Sequence, residues 1–176
     1  MKKKMIAAGH ICVDITPAIP GKKVTKINEL MIPGKLIEVG DATVSTGGAV
    51  ANTGLAMKVL GANVSLMGKI GNDAFGGIVK SVLKKYGAED ELLISDTEGT
   101  SYTLVVAVPG IDRIFLHNPG ANNSFCTEDI PVEELKDAAL FHFGYPPIMR
   151  SMYLNDGEEL VKMMKMVKEA GVATSM

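Results

Sequence analysis

The chain has 176 residues, of which 47 % are apolar and 22 % charged, with a formal net charge of -2. This composition is ordinary for a soluble globular protein with one sizeable core, and it gives no reason to expect nucleic acid as a partner. No apolar run approaches the ~20 residues of a membrane-spanning helix. Cys12 and Cys126 show no metal or redox spacing, so we expect free thiols in a reducing cytoplasm.

The first predicted element is a buried strand over residues 5–13, which ends at Asp14. A carboxylate at the end of a first parallel strand lies where open α/β sheets bind ligands. Asp is also common in turns and helix caps, so a ligand-binding role and a structural role for Asp14 both remain open here. His10 lies beside the same strand end, but a single histidine among apolar neighbours is more often structural.

Two glycines, Gly47 and Gly48, come directly before a helical apolar pattern that ends near Gly61. Paired glycines let the backbone approach a ligand closely, and the free N–H groups of a helix start suit an oxygen-rich ligand. Asn52 is the first polar side chain of that helix and offers two donors and an acceptor, which suits a hydroxyl group. A glycine turn that only starts a packed helix, with Asn52 exposed, fits the same pattern.

The remaining chain alternates short apolar runs with amphipathic ones, which predicts a parallel sheet with helices on both faces. A short helix is expected after an N-cap at Thr127, and a long one after a cap at Asn155 or Asp156. Tyr145 fits either a cleft wall or the surface. The predicted strands cover residues 62–67, 91–95, 138–143 and 172–176, and the predicted helices cover residues 74–86 and about 157–170.

Three other segments show a strand pattern without crossover helices. Residues 35–45 predict a strand with a break near Gly40, after an irregular stretch over residues 16–34. Residues 100–108 and 113–117 predict a hairpin around a Pro-Gly turn. Together these segments predict a small separate sheet, with an antiparallel edge of the main sheet as the alternative.

Several glycine and asparagine spacings agree with one family. The chain resembles the ribokinase-like carbohydrate kinases, also called the phosphofructokinase-B type, at the following residues: Gly9 and Asp14; Gly47, Gly48, Asn52, Gly61 and Gly71; Gly68, Asp73 and Gly76; and Gly120, Ala121 and Asn122. Val50 and Gly54 depart from the usual residues of the first family signature. The resemblance covers nearly all of the chain but only about half of a full family member.

The resemblance implies a three-layer α/β/α fold with a mainly parallel sheet, plus a small β-sheet lid built from residues about 16–45 and 100–117. It implies that the sugar contacts Asp14, Gly47, Gly48 and Asn52, with Asn122 closing the site. It further implies transfer of the ATP γ-phosphoryl group to a monosaccharide hydroxyl with Mg²⁺, and a homodimer formed through the lid.

The family's second half carries a Gly-Ala-Gly-Asp motif with the catalytic base, and this motif is absent here. We therefore interpret residues 1–176 as an N-terminal portion without catalytic residues or the nucleotide-binding half, and expect no turnover from it alone. The alternatives are an adenosine-like nucleoside kinase, or a non-catalytic sugar-binding or dimerisation module if the chain is complete. A dinucleotide-binding domain is disfavoured because no glycine fingerprint follows the first strand.

Overall fold

The structure is a computed structural model that describes residues 3–21, 23–88 and 92–176. Within these ranges the strands are β1 (Lys4–Gly9), β2 (Cys12–Pro17), β3 (Ala42–Gly47), β4 (Asn63–Met67), β5 (Lys69–Gly71), β6 (Leu93–Ser95), β7 (Tyr102–Val106), β8 (Ile114–Asn118), β9 (Ala138–Gly144) and β10 (Ala173–Ser175). The α-helices are α1 (Ala56–Val59), α2 (Ala74–Lys84), α3 (Val132–Lys136), α4 (Arg150–Tyr153) and α5 (Glu158–Glu169). No helix in the described ranges is long and apolar enough to cross a membrane.

The main sheet is parallel, with strand order β10-β9-β1-β4. Along β1, Ile6 and Ala8 belong to one apolar cluster and Ala7 to another, because successive side chains of a strand point to opposite faces. The first cluster includes residues of α3, α4 and α5, and the second includes residues of α2 and of the helix that follows Gly48. Helices therefore cover both faces, and the predicted three-layer α/β fold is confirmed.

A second sheet has the order β3-β2-β7-β8. Its central strands β2 and β7 pair in parallel, while β3 and β8 are antiparallel edges. The prediction that strands from the segments 35–45 and 100–117 form one small sheet apart from the main one is confirmed, although they do not pair with each other. The strand that joins them, β2, lies in a stretch that the sequence assigned partly to the first strand and partly to an irregular segment.

Other boundaries differ from the prediction. The strand expected over residues 5–13 is two strands, because the chain leaves the main sheet at Gly9 and enters the second sheet at Cys12. The strand expected over residues 35–45 begins only at Ala42, after Gly40 donates a backbone hydrogen bond to Ala18. The strands β5 and β6 form a separate parallel pair instead of extending the main sheet. Residue 91, the first of one predicted strand, lies outside the described residues.

Both helix N-caps predicted above were wrong. Thr127 starts a short 3₁₀ helix that Cys126 precedes, so it is not the N-cap. Asn155 and Asp156 have positive φ values of 50° and 54° in a turn, and Gly157 holds the N-cap position of α5. The helix after Gly48 begins as a π-helix, Val50–Leu55, and continues into α1.

The chain crosses between the two sheets at residues 9–11, and one buried side chain helps to hold this crossing. Asn122 is fully buried, accepts a hydrogen bond from the backbone N–H of Ile11 at 3.1 Å and donates one to its carbonyl at 2.9 Å. A third bond, from the Asn122 amide to the carbonyl of Pro119 at 3.1 Å, anchors the side chain on its own turn. The amide therefore replaces the strand partner that Ile11 lacks between the sheets.

We expect Asn122→Ala to lower the free energy of unfolding by about 3 kcal/mol, because it leaves two buried backbone groups of Ile11 without partners. Urea denaturation measures this loss. Asn118→Ala is the control, because its side chain makes one exposed hydrogen bond, to the N–H of Gly120; we expect it to cost less than about 1 kcal/mol. Equal losses in the two variants would contradict the role of Asn122 as a clamp.

Candidate functional site

A cavity of about 600 Å³ opens where the crossing segment meets the second sheet and the turn after β9. Its floor comes from β2 and β7, and β8 forms one wall. The lining residues are His10, Cys12, Asp14, Gly48, Asn52, Thr103, Arg113, Phe115, His117, Tyr145 and Ile148. The cavity therefore combines one carboxylate, one guanidinium, two imidazoles and two aromatic rings, which makes it suitable for a polar ligand with an apolar face.

Asp14, from β2, lies against Gly47. A Cβ atom on Gly47 would lie 2.1 Å from Oδ2 of Asp14, so the missing side chain provides the space that the carboxylate occupies. Gly47 thus acts through Asp14, whereas the sequence suggested close approach of its backbone to a ligand.

Gly48 lines the cavity and has φ +85°, a conformation that side chains rarely adopt. A Cβ atom there would lie 2.3 Å from the carbonyl oxygen of His10, which accepts a hydrogen bond from the N–H of Val50 at 3.1 Å. Asn52, one turn further on, is exposed and also lines the cavity. The structure thus brings Asp14, Gly48 and Asn52 together.

Asn122, the fifth predicted site residue, does not line the cavity. Both polar atoms of its amide are engaged by the backbone, and the side chain has no exposed surface. A buried amide and a ligand-binding amide have the same appearance in a sequence. In this fold, the Asn122 amide binds the backbone of Ile11.

Sequence reasoning missed His117 and Thr103, and it set His10 aside as structural. The register of the second sheet places Asp14 opposite Thr103, and Thr103 opposite His117, so the three side chains share one face. His10 reaches the same group from the crossing segment, where its Nε2 lies 3.3 Å from Nε2 of His117. In the sequence, Arg113, Phe115 and His117 stand two residues apart. This spacing was the one local indication that these three side chains lie on the same face of a strand.

The cavity walls carry two further features. Tyr145, just after β9, has φ 68° and ψ 41°, a left-handed conformation that is strained for a bulky residue, and its ring centroid lies 6.2 Å from that of His10. The guanidinium of Arg113 lies 5.5 Å above the ring of Phe115, and within the described ranges it pairs with no carboxylate. It remains available to a ligand at the rim.

Burial determines the protonation of the polar residues. It lowers the pKa of His10 to about 4, with a further contribution from His117, and it raises the pKa of the Cys12 thiol to about 12, with help from the Asp14 carboxylate. Partial burial also lowers the pKa of His117, against the opposing effect of Asp14. Near pH 7 both imidazoles are therefore neutral and the thiol keeps its proton.

Curated relatives include fructokinase-1 of Zea mays, 26 % identical over 99 % of this chain and 50 % of its own length, and fructokinase-1 of Oryza sativa subsp. japonica, 27 % identical over 97 % and 49 %. The chain spans about half the length of the curated relatives that it matches.

Solved structures show the same fold. The fructokinase with bound ATP from Xylella fastidiosa has a TM-score of 0.74 and 22 % identity over 99 % of this chain and 48 % of its own. The ribokinase from Giardia lamblia has a TM-score of 0.73 and 16 % identity over 99 % and 49 %. Residues 7–175 match the family described as pfkB family carbohydrate kinase. With a match over almost its whole length, the chain belongs to the pfkB carbohydrate kinases.

Proposed function

We propose that this chain is the sugar-binding part of a kinase that transfers the ATP γ-phosphoryl group to a hydroxyl of a monosaccharide. The observation that carries the proposal is the cavity at which Asp14, Gly48 and Asn52 meet in a pfkB family chain. Because the curated relatives named above are fructokinases, D-fructose is the first substrate to test.

In this proposal Asp14 accepts hydrogen bonds from sugar hydroxyls, since an ionised carboxylate is a strong acceptor without a proton of its own. Asn52 supplies both donors and an acceptor from the helix after Gly48. Gly47 and Gly48 contribute by the space they leave, and Phe115 and Tyr145 offer apolar surface to the carbon face of a sugar ring. The residues thus orient a hydroxyl, and positioning is a major part of catalysis in phosphoryl transfer.

The co-substrate is proposed to be ATP with Mg²⁺, which would neutralise charge on the transferred phosphoryl group. In the described ranges no group of three or more His, Cys, Asp or Glu side chains is placed to hold a metal ion. The described residues therefore provide no Mg²⁺ site of three such ligands.

The protein expressed from its own gene should release ADP from Mg-ATP in the presence of D-fructose or another monosaccharide. A coupled ADP assay with pentoses, hexoses, keto-sugar acids and nucleosides measures this. Turnover with nucleosides alone would identify a nucleoside kinase instead. Sugar binding without any ADP release from that protein would favour a non-catalytic sugar-binding module.

Asp14→Asn should weaken sugar binding about a hundredfold, because two hydrogen bonds to a charged group, each worth about 1.5–3 kcal/mol, are weakened at once. Isothermal titration calorimetry with D-fructose gives the affinity, and circular dichroism checks the fold. Asp41→Asn is the matched control, since Asp41 is exposed and does not line the cavity. Unchanged affinity in Asp14→Asn would show that this carboxylate has only a structural role.

We also propose that the second sheet is a lid over the sugar and the contact of a homodimer. The face opposite the cavity carries a continuous apolar row, because the register aligns Val44 with Ile15, Ile15 with Leu104 and Leu104 with Leu116. At the two ends of this row Val44 is 46 % and Leu116 55 % exposed. A second copy would cover this surface. We further propose that the protein lies in the cytoplasm and has neither nucleic acid nor a membrane as a partner.

Leu116→Lys should convert the dimer to a monomer, because it places a charge on the most exposed residue of the apolar row in the proposed contact. Sedimentation velocity at several protein concentrations gives the mass. Val59→Lys is the control, since Val59 is equally apolar and 69 % exposed but lies on α1. A variant at Leu116 that sediments like the unmodified protein would rule out this face as the interface.

A further inference from the structure

Behind Asp14, four side chains form a continuous line of hydrogen-bond contacts. The Cys12 sulfur lies 3.3 Å from Oδ1 of Asp14, and the hydroxyl of Thr103 lies 3.9 Å from that sulfur. The same hydroxyl is 3.0 Å from Nδ1 of His117, whose Nε2 is 3.3 Å from Nε2 of His10. We call Cys12, Thr103, His117 and His10 the Asp14 chain.

Counting protons fixes the direction of every bond in the Asp14 chain. An ionised carboxylate only accepts, so the Cys12 thiol donates its one proton to Asp14. The sulfur can then only accept, which makes the Thr103 hydroxyl its donor. Since that hydroxyl has no second proton, it accepts from Nδ1–H of His117.

The same count continues to the end of the line. A neutral His117 that carries its proton on Nδ1 has only a lone pair on Nε2, so Nε2 of His10 must donate to it. His10 Nδ1 then holds no proton, which fits its position: it is buried, has no hydrogen-bond partner, and faces the space where a Cβ of Gly48 would lie, 2.7 Å away. An N–H at that atom would be buried without an acceptor.

The protonation states of these groups agree with an Asp14 chain in which every hydrogen bond is donated toward Asp14. Burial holds both imidazoles neutral and the thiol protonated near pH 7, as described above. Arg113 and Tyr145 also line this cavity, and within the described ranges neither makes a hydrogen bond to a member of the Asp14 chain. Cys12, Thr103 and His117 therefore each donate one hydrogen bond and accept one within the Asp14 chain, and His10 donates one at its end.

We propose that Cys12 and His117 are positioning residues for Asp14. The Asp14 chain occupies Oδ1 of the carboxylate and holds it against Gly47, so that the remaining acceptor sites of the carboxylate are directed to a sugar hydroxyl. This role rests on the proposed function, in which Asp14 binds the sugar. The Asp14 chain itself does not rest on the proposed function, because it follows from contacts within the protein alone. Histidine tautomers at two positions are its signature.

Long-range ¹H–¹⁵N NMR of the full chain at pH 7 distinguishes the two imidazole tautomers directly. We expect His10 with its proton on Nε2 and His117 with its proton on Nδ1. In Cys12→Ala the Thr103 hydroxyl loses its acceptor and can turn to His117, so the signals of both histidines should change although Cys12 contacts neither. Cys12→Ser should restore them. The opposite tautomer at either histidine, or histidine signals that Cys12→Ala leaves unchanged, would overturn the line.

Calorimetry with D-fructose then tests positioning. We expect Cys12→Ala to weaken binding about 3- to 10-fold and Cys12→Ser to stay within about twofold of the unmodified chain, because serine keeps a donor to Asp14. Cys126→Ala, which removes the other free thiol, is the control. Equal affinities of Cys12→Ala and the unmodified chain would refute the positioning role. If the unmodified chain binds no D-fructose, the proposed substrate is wrong and the tautomers alone decide the line.

Discussion

The arrangement of the site depends on how the backbone crosses from the main sheet to the second sheet at residues 9–11. Gly9, with φ +118°, allows the turn, and a Cβ atom there would lie 2.5 Å from the carbonyl oxygen of Gly144. The crossing backbone bonds to Gly144 on one side, to Val50 on another and to the Asn122 side chain on a third. Because the crossing is held on three sides, Cys12 and Asp14 enter the second sheet in one register.

Three glycines leave the space in which the groups around the cavity pack closely. Each glycine there removes a specific collision: Gly47 with the carboxylate of Asp14, Gly48 with the backbone of His10, and Gly144 with Ala49, whose Cβ would be 2.0 Å from an added Cβ. The collisions with His10 and Ala49 cannot be relieved by a rotamer change, because the backbone fixes the position of a carbonyl oxygen and of a Cβ atom. The glycine-rich sequence is thus explained by packing around the site as much as by ligand contact.

Local patterns predicted the layers and part of the site, and nonlocal pairing produced the rest. The apolar periods located β1, β4, β9 and α2. The end of the first strand led to Asp14, and the glycine pair led to Gly48 and Asn52. The residues missed from the site, His117 and Thr103, meet Asp14 only through the parallel pairing of β2 with β7, across some ninety residues of chain. The cap at Gly157 was missed because Asn155 and Asp156 are good caps by composition, and only the backbone shows them in a left-handed turn.

The alternation of β8 connects the site to the outer face of the second sheet. Phe115 and His117 point to the cavity, while Leu116 between them belongs to the opposite, apolar row. Since β8 is an edge strand with β7 as its one neighbour in the described sheet, its position rests on that single pairing. A second copy that packs on Leu116 would hold the strand from the other side, and with it His117, a member of the Asp14 chain. In the proposed dimer, association and sugar binding would therefore stabilise the same strand.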